Sequence, residues 1–317
     1  MRVLVVTSLY PTAAHPERGR FVADQVEALR ELGADVELFA FEPGGRNYVT
    51  AARALRRSHG GERYDVVHAH HGLGGWTARA LGRRGGPLVV TYHGTDLEHP
   101  IVGPMSRALA RAADLPATVS AALARARLPG AGRSQRVAVL PCGIDLDRFR
   151  PLPRAEARRE LGLDPDGRYL LFPAHPGRPE KRHDRASAVA AATGAQLLAY
   201  DQTPPDRVPL YINAAAAVLV TSEREGFGLA AIEALACDVP VLATDVGIAP
   251  LALAGVEGAL CGPFDAAQWA AVAARHLEDH DPRVAGRARA ALFGRDRMAR
   301  RVLKAYCDLL NQPESSV

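Results

Sequence analysis

At 317 residues and 48% apolar, the chain exceeds one average domain and can build two modest cores. No unbroken apolar run approaches the roughly 20 residues that cross a bilayer. The opening "MRVLVVTSLYP" is cut by Pro11 too early for a secretory leader, so a cytoplasmic protein is expected. The net charge of +4 is uneven: residues 1–150 hold 20 arginines against 14 acids, and the remainder is slightly acidic. A basic half suits anionic substrates or an acidic membrane surface, yet no arginine tract is interleaved with aromatics, so no nucleic-acid partner is expected.

In chain order, "RVLVV", "DVELFAF", "YDVVHAH", "PLVVTYH", "LPATVS" and "RVAVLP" are continuously apolar runs, the pattern of parallel strands buried on both faces. Between the first two, "FVADQVEALRELG" places Phe21, Val22, Gln25, Val26, Leu29 and Leu32 on one helical face, with Gly33 as the stop. The pattern restarts with "RYLLFPA", "AQLLAY", "AAVLVTS", "VPVLATD" and "GALCG", with helices near 183–193, 207–215, 229–237 and 266–278. The fold class is therefore α/β, with two Rossmann-like, doubly wound parallel-sheet domains facing a central cleft. We expect a first domain over 1–150 and a second over 151–295, with a Pro- and charge-rich hinge near 148–155. A basic amphipathic C-terminal helix over about 296–312 would pack back on the first domain. Cys142, Cys237, Cys261 and Cys307 have no paired spacing and read as small buried apolar residues.

The stretch "VLVTSEREGFGLAAIEAL" has strand, glycine turn and helix in succession, the arrangement in which unpaired N–H groups and the helix dipole hold an anion. Glu225 would lie in the loop and Glu233 about a turn and a half inside the helix, a span comparable to a diphosphate. An acid at each end could accept hydrogen bonds from a sugar on one side and a ribose on the other. Spacing alone equally allows Glu225 to complement the helix dipole and Glu233 to be a solvated helix residue. His68, His70 and His71 in "DVVHAHHG" invite a metal, but only His68 and His70 share a strand face and no carboxylate has a diagnostic spacing. The Asp145 and Asp147 pair lies in a strand-end loop, and no metal or other cofactor is expected.

"EGFGLAAIEALACDVPVLATDVG" resembles the E-x7-E motif of the retaining, GT-B-fold glycosyltransferases of family 4. "TYHGTDL", "ATVSAALA", "VLPCGIDLDRFRP", "RPEKRHD" and "YINAAAAVLVTS" follow that family's order along essentially the whole chain. "RPEKRHD" with "EALACDVPV" looks most like the branch of teichuronic-acid-type polymer glycosyltransferases. The resemblance implies Glu225 at the donor sugar, Glu233 on the ribose, the backbone of Gly226, Phe227, Gly228 and Leu229 facing sugar and diphosphate, and Lys181 neutralising the leaving group. It implies a second cation, for which we favour Arg178, always charged and able to give two donors; His175 stands where the family's spacing falls and stays open. It also implies His93 at the donor sugar and acceptor, and Gly19, a single glycine where the family has two, near the diphosphate.

The implied activity is retaining, metal-independent transfer from a nucleotide sugar to a hydroxyl of a lipid-linked glycan, polymer or small molecule, with peripheral contact at the inner membrane face compatible with the basic half. The alternatives are a nucleotide-sugar epimerase or hydrolase of the same fold, or a non-catalytic sugar-nucleotide-binding subunit. The sequence departs from the family at Ala216, Asp238 and Leu251, and in the short segment "DQTPPDRVPL", where members usually have another strand and helix.

Overall fold

A computed structural model describes residues 1–128, 136–200 and 203–311. Its chain divides into two compact units, Met1–Gly143 with the C-terminal segment that begins at Arg295, and Ile144–Gly294.

The first unit holds a parallel sheet of β1 (Arg2–Thr7), β2 (Asp35–Ala40), β3 (Val66–His70), β4 (Leu88–Tyr92), β5 (Leu115–Thr118) and β6 (Ala138–Val139), in the order β2-β1-β3-β4-β5-β6. β3 and β4 are buried along their whole length, as strands covered on both faces must be. Helix Arg20–Glu31 turns Val22, Val26 and Leu29 onto Val3, Val5, Val66 and Val89. The C-terminal helix Arg295–Leu310 adds Met298, Ala299, Val302 and Tyr306 to the same core, and Arg295 pairs with Glu31 at 3.0 Å. Residue 312, the last of the expected C-terminal helix, lies outside the described residues.

In the second unit, β7 (Tyr169–Phe172), β8 (Gln196–Ala199), β9 (Ala217–Val220), β10 (Val241–Ala243) and β11 (Leu260–Cys261) form a parallel sheet in the order β11-β10-β9-β7-β8. Helices His183–Thr193 and Ala266–Glu278 cover one face, where Ala186, Val189, Trp269 and Ala273 pack on Leu170, Phe172, Leu219 and Leu242. Among the described residues no helix is long and apolar enough to cross a membrane.

Two expectations are corrected. The chain passes from the first unit to the second at Gly143–Ile144, before the hinge placed at 148–155. Phe149 is buried and Arg287 donates to the carbonyls of Leu146 and Phe149, which ties that stretch into the second unit. Just beyond it, Arg154–Leu161 is a helix whose buried Arg154 and Arg158 donate to the carbonyls of Ala215 and Ala214, satisfying acceptors at the end of helix Val208–Ala214. The cysteines are all free, but only Cys237 is buried; Cys142 and Cys261 are half-buried and Cys307 is exposed, because it falls on the outer face of the C-terminal helix.

Candidate functional site

In the second sheet the chain leaves β7 toward β8 on one side and returns to β9 on the other. The β7/β9 boundary is therefore the point where the strand order reverses, and ligands of open α/β sheets bind beyond the strand ends at such points. The loops after these two strands are laced together. Thr221 donates through Oγ1 to the carbonyls of Lys181 (2.9 Å) and Arg182 (3.0 Å), and the Glu223 N–H donates to Glu180 O at 2.9 Å. Lys181 ends a short 3-10 turn, Pro179–Lys181, and Arg182 then takes φ +56 to redirect the chain into helix His183–Thr193.

This lacing brings Lys181 and Glu225, 44 residues apart, into one ion pair: Nζ lies 2.6 Å from Oε1, with side chains 16% and 12% exposed. Ser222 donates to the same oxygen at 2.7 Å. A pair this shielded from water is screened less than a surface pair, so Lys181 is a fixed charge at the strand ends. Beside it, helix Leu229–Ala236 starts after Gly228 (φ +94) with no side-chain cap and no acid in its first turn. Its leading N–H groups therefore have no anionic side chain of their own. Phe227 is buried with its ring edge-on to Phe293 at 6.0 Å, and its carbonyl accepts the Ile248 N–H, so both ring and backbone anchor this loop.

Glu233 is the fifth residue of that helix, roughly 6 Å along the axis from Leu229 at 1.5 Å per residue. Burial, and then the Glu233 charge, raise the Tyr200 hydroxyl pKa well above its ordinary value; that hydroxyl is buried with no hydrogen-bond partner among the described residues. Asp201 and Gln202, the start of the shortened segment, lie outside the described residues. Arg178 accepts the Lys181 N–H on its carbonyl at 3.0 Å, but its side chain is 54% exposed and gives both Nε and Nη2 to Glu180 Oε1, at 2.9 and 2.7 Å. His175 accepts the Gly177 N–H on Nδ1 at 3.0 Å.

The first sheet reverses order between β1 and β3. Gly19, after β1, takes φ +62 and opens helix Arg20–Glu31, which likewise lacks a side-chain cap and a first-turn acid. A Cβ on Gly19 would sit 2.3 Å from the Leu9 carbonyl carbon and oxygen, so no other residue fits there. His93, half-buried after β4, is held by Asp96, whose buried carboxylate accepts the N–H groups of Gly72, His93 and Gly94 at 3.0 to 3.1 Å. His68, His70 and His93 stack, with centroids 4.5 and 5.4 Å apart. Burial pushes His68 down to about 3, and lowers His70 and His93 well below the usual histidine range.

These depressed values give a pH prediction. Unfolded histidines take protons below about 6.5 that buried His68 and His70 refuse, so their contribution is intact above that pH and lost as pH falls toward the folded values. Going from pH 6.5 to 5.5 should cost roughly 2 kcal/mol of stability for the two, and thermal melts across that interval should show the decline. A flat melting temperature would contradict it.

Sequence reasoning named Lys181 and Glu225 but not Ser222, Thr221 and Thr244, which hold them; Thr244 Oγ1 donates to Ser222 O at 2.6 Å. Asp238, in place of a usual glycine, takes φ +55 at the end of helix Leu229–Ala236 and compensates by accepting the Gly286 and Arg287 N–H groups at 3.0 and 2.7 Å. Asp145 Oδ1 accepts the N–H groups of Asp147 and Arg148, a turn-stabilising role. Ala216 is buried and Leu251 exposed.

Residues 19–148 match the model of Glycosyltransferase Family 4, and 156–291 that of Glycosyl transferases group 1. The chain is 33% identical to the D-inositol 3-phosphate glycosyltransferase of Thermobispora bispora over 316 residues, covering 80% of this chain and 73% of the relative. With that of Segniliparus rotundus the identity is 31%, covering 86% and 70%. In fold it is similar to sucrose-phosphate synthase from Thermosynechococcus elongatus (TM-score 0.74, 22% identity, 97% and 98% of the two chains). It is also similar to HepE of Anabaena solved with UDP and glucose (TM-score 0.70, 17% identity, 97% and 99%).

Proposed function

We propose, on the premise that the chain belongs to the group 1 glycosyltransferases of family 4, that it moves a sugar from a nucleoside-diphosphate donor to a hydroxyl with retention of anomeric configuration. The observation that carries this reading is the Lys181–Glu225 pair at the β7/β9 reversal, beside the uncapped helix Leu229–Ala236.

Lys181 and the helix N–H groups meet the diphosphate, whose charge grows as the glycosidic bond breaks; fixed positive charge there lowers the barrier without reorganising. Glu225 spends Oε1 on Lys181 and Ser222, and turns Oε2 to a hydroxyl of the donor sugar. Glu233 accepts from the ribose. Arg178 assists only by leaving Glu180, and His175 is the competing contact. For His93 and Gly19 we carry over the roles at the sugar and diphosphate that the motif resemblance implies. The nucleophile is the acceptor hydroxyl, attacking on the face the diphosphate leaves, with a diphosphate oxygen taking its proton. The cations replace a metal, so chelation should leave the rate unchanged.

HepE was solved with UDP, which makes UDP sugars the first donors to try. The named relatives act on D-inositol 3-phosphate, and the basic half of this chain suits an anionic acceptor of that kind. The "RPEKRHD" likeness favours a growing teichuronic-acid-type glycan as the second acceptor class. We place the activity in the cytoplasm, where nucleotide sugars are made.

A thermal-shift screen of UDP, GDP, ADP and TDP sugars tests donor binding. One nucleotide at 100 times its Kd should stabilise the fold by about 2.7 kcal/mol, and this gain should vanish in Glu233→Ala. No shift with any of them would sink the reading.

A further inference from the structure

We infer that a buried hydrogen-bond chain from Tyr306 through His68, Gln25 and His70 fixes His93 in its Nδ1–H tautomer, so that His93 meets its ligand as a hydrogen-bond donor and not as a base. The functional meaning rests on the reading of His93 as a substrate-side residue; the tautomer itself does not.

The polarity follows from one end. Tyr306 is fully buried, and among the described residues its hydroxyl has one partner, His68 Nδ1 at 2.5 Å. A buried O–H left without an acceptor keeps its full desolvation penalty, so Tyr306 donates and His68 Nδ1 accepts. A neutral imidazole carries one N–H, which in His68 is then on Nε2, donating to Thr91 Oγ1 at 2.8 Å. Because His68 Nδ1 accepts, the Gln25 group 3.4 Å from it must be the NH2; a carbonyl oxygen would oppose lone pair to lone pair. The same NH2 lies 3.2 Å from His70 Nε2, which therefore accepts. The His70 proton is left on Nδ1 and is donated to His93 Nε2 at 3.1 Å.

His93 thus has Nε2 occupied as an acceptor and its single proton on Nδ1, for which no described residue supplies a partner. Burial keeps all three rings neutral, which is what gives each a single proton to place. Gln25 and His70 are positioning residues: neither needs to touch a ligand, and both decide what His93 can offer one. An N–H at this position can hold a hydroxyl oxygen of a sugar and cannot remove its proton.

The test is the long-range 1H–15N spectrum of histidine-labelled protein, with His93 assigned by the signals lost in His93→Phe. The expected result is protonated Nδ1 in His93 and His70 and protonated Nε2 in His68. A His93 with its proton on Nε2 overturns the inference. Tyr306→Phe keeps the ring and removes the donor, so His93 should become a tautomer mixture; an unchanged single tautomer would show that Tyr306 does not set the direction. In a transfer assay the same variant should lower kcat by about tenfold with little change in KM. If no donor is turned over by the unaltered enzyme, the functional reading fails while the spectrum still decides the tautomer; should Tyr306→Phe not fold, the unaltered protein's spectrum suffices.

Discussion

Lys181→Ala should slow nucleoside diphosphate release at saturating donor by roughly 10³-fold, the scale set by removing one preorganised group at a developing charge. The substitution also strands Glu225, a largely shielded carboxylate whose remaining partner is the Ser222 hydroxyl. Breaking a shielded pair on one side costs more than replacing both members, so the single variant should lose about 1–3 kcal/mol of stability. Lys181→Met with Glu225→Gln should recover most of that stability and none of the activity. This separation is informative because it divides holding the loops together from stabilising the leaving group. Melting curves and release rates on both variants provide it, and a Lys181→Ala enzyme as fast as the original would refute the assignment.

Gly247→Ala should damage fold and activity together, although the residue contributes no side chain. Gly247 takes φ +58, and a Cβ there would stand 2.3 Å from Phe227 O and 2.9 Å from Glu225 Cβ. The loop after β10 sits against the glutamate loop at this point, with the Ile248 N–H donating to Phe227 O at 2.7 Å. The methyl group must push away both the Phe227 carbonyl and Glu225, on top of the roughly 1 kcal/mol that a left-handed alanine costs. We expect a stability loss of at least about 3 kcal/mol, as for other changes that combine backbone strain with overpacking, and loss of the thermal shift given by the donor. A variant that melts and binds like the original would show that the two loops move independently.

Much of this architecture is legible in the sequence because parallel strands are covered on both faces. β3 and β4 appear as unbroken apolar runs, and no surface alternation dilutes them. The helix Gly45–His59 has no such signature: among its fifteen residues only Ala51 and Leu55 are buried, too few to mark a face. Helix Arg154–Leu161 was hidden for the opposite reason, since its buried contacts are made by arginines, which composition assigns to a linker.

At the site, Glu225 and Glu233 could be found because they share one local stretch. Lys181 came from a motif, and its contact with Glu225 depends on the strand order β9-β7, which no local spacing encodes. The same holds for Tyr306 and His68, which are 238 residues apart and meet because the C-terminal helix packs on the first sheet. The expectation for Arg178 rested on its permanent charge, and that charge is what binds it to Glu180. Asp238 departs from the family's usual glycine, yet it adopts the glycine-like turn and pairs its carboxylate with two N–H groups.

The most direct test of the central claim is the anomeric configuration of the product. Purified protein is incubated with the UDP sugar that gives the thermal shift, an inositol phosphate or anionic glycan acceptor, and a metal chelator, and the first-formed product is followed by NMR. The expected result is stoichiometric UDP and a new glycosidic bond with the anomeric configuration of the donor, both absent in Lys181→Ala. An inverted product, or turnover of the donor without an acceptor, would contradict it.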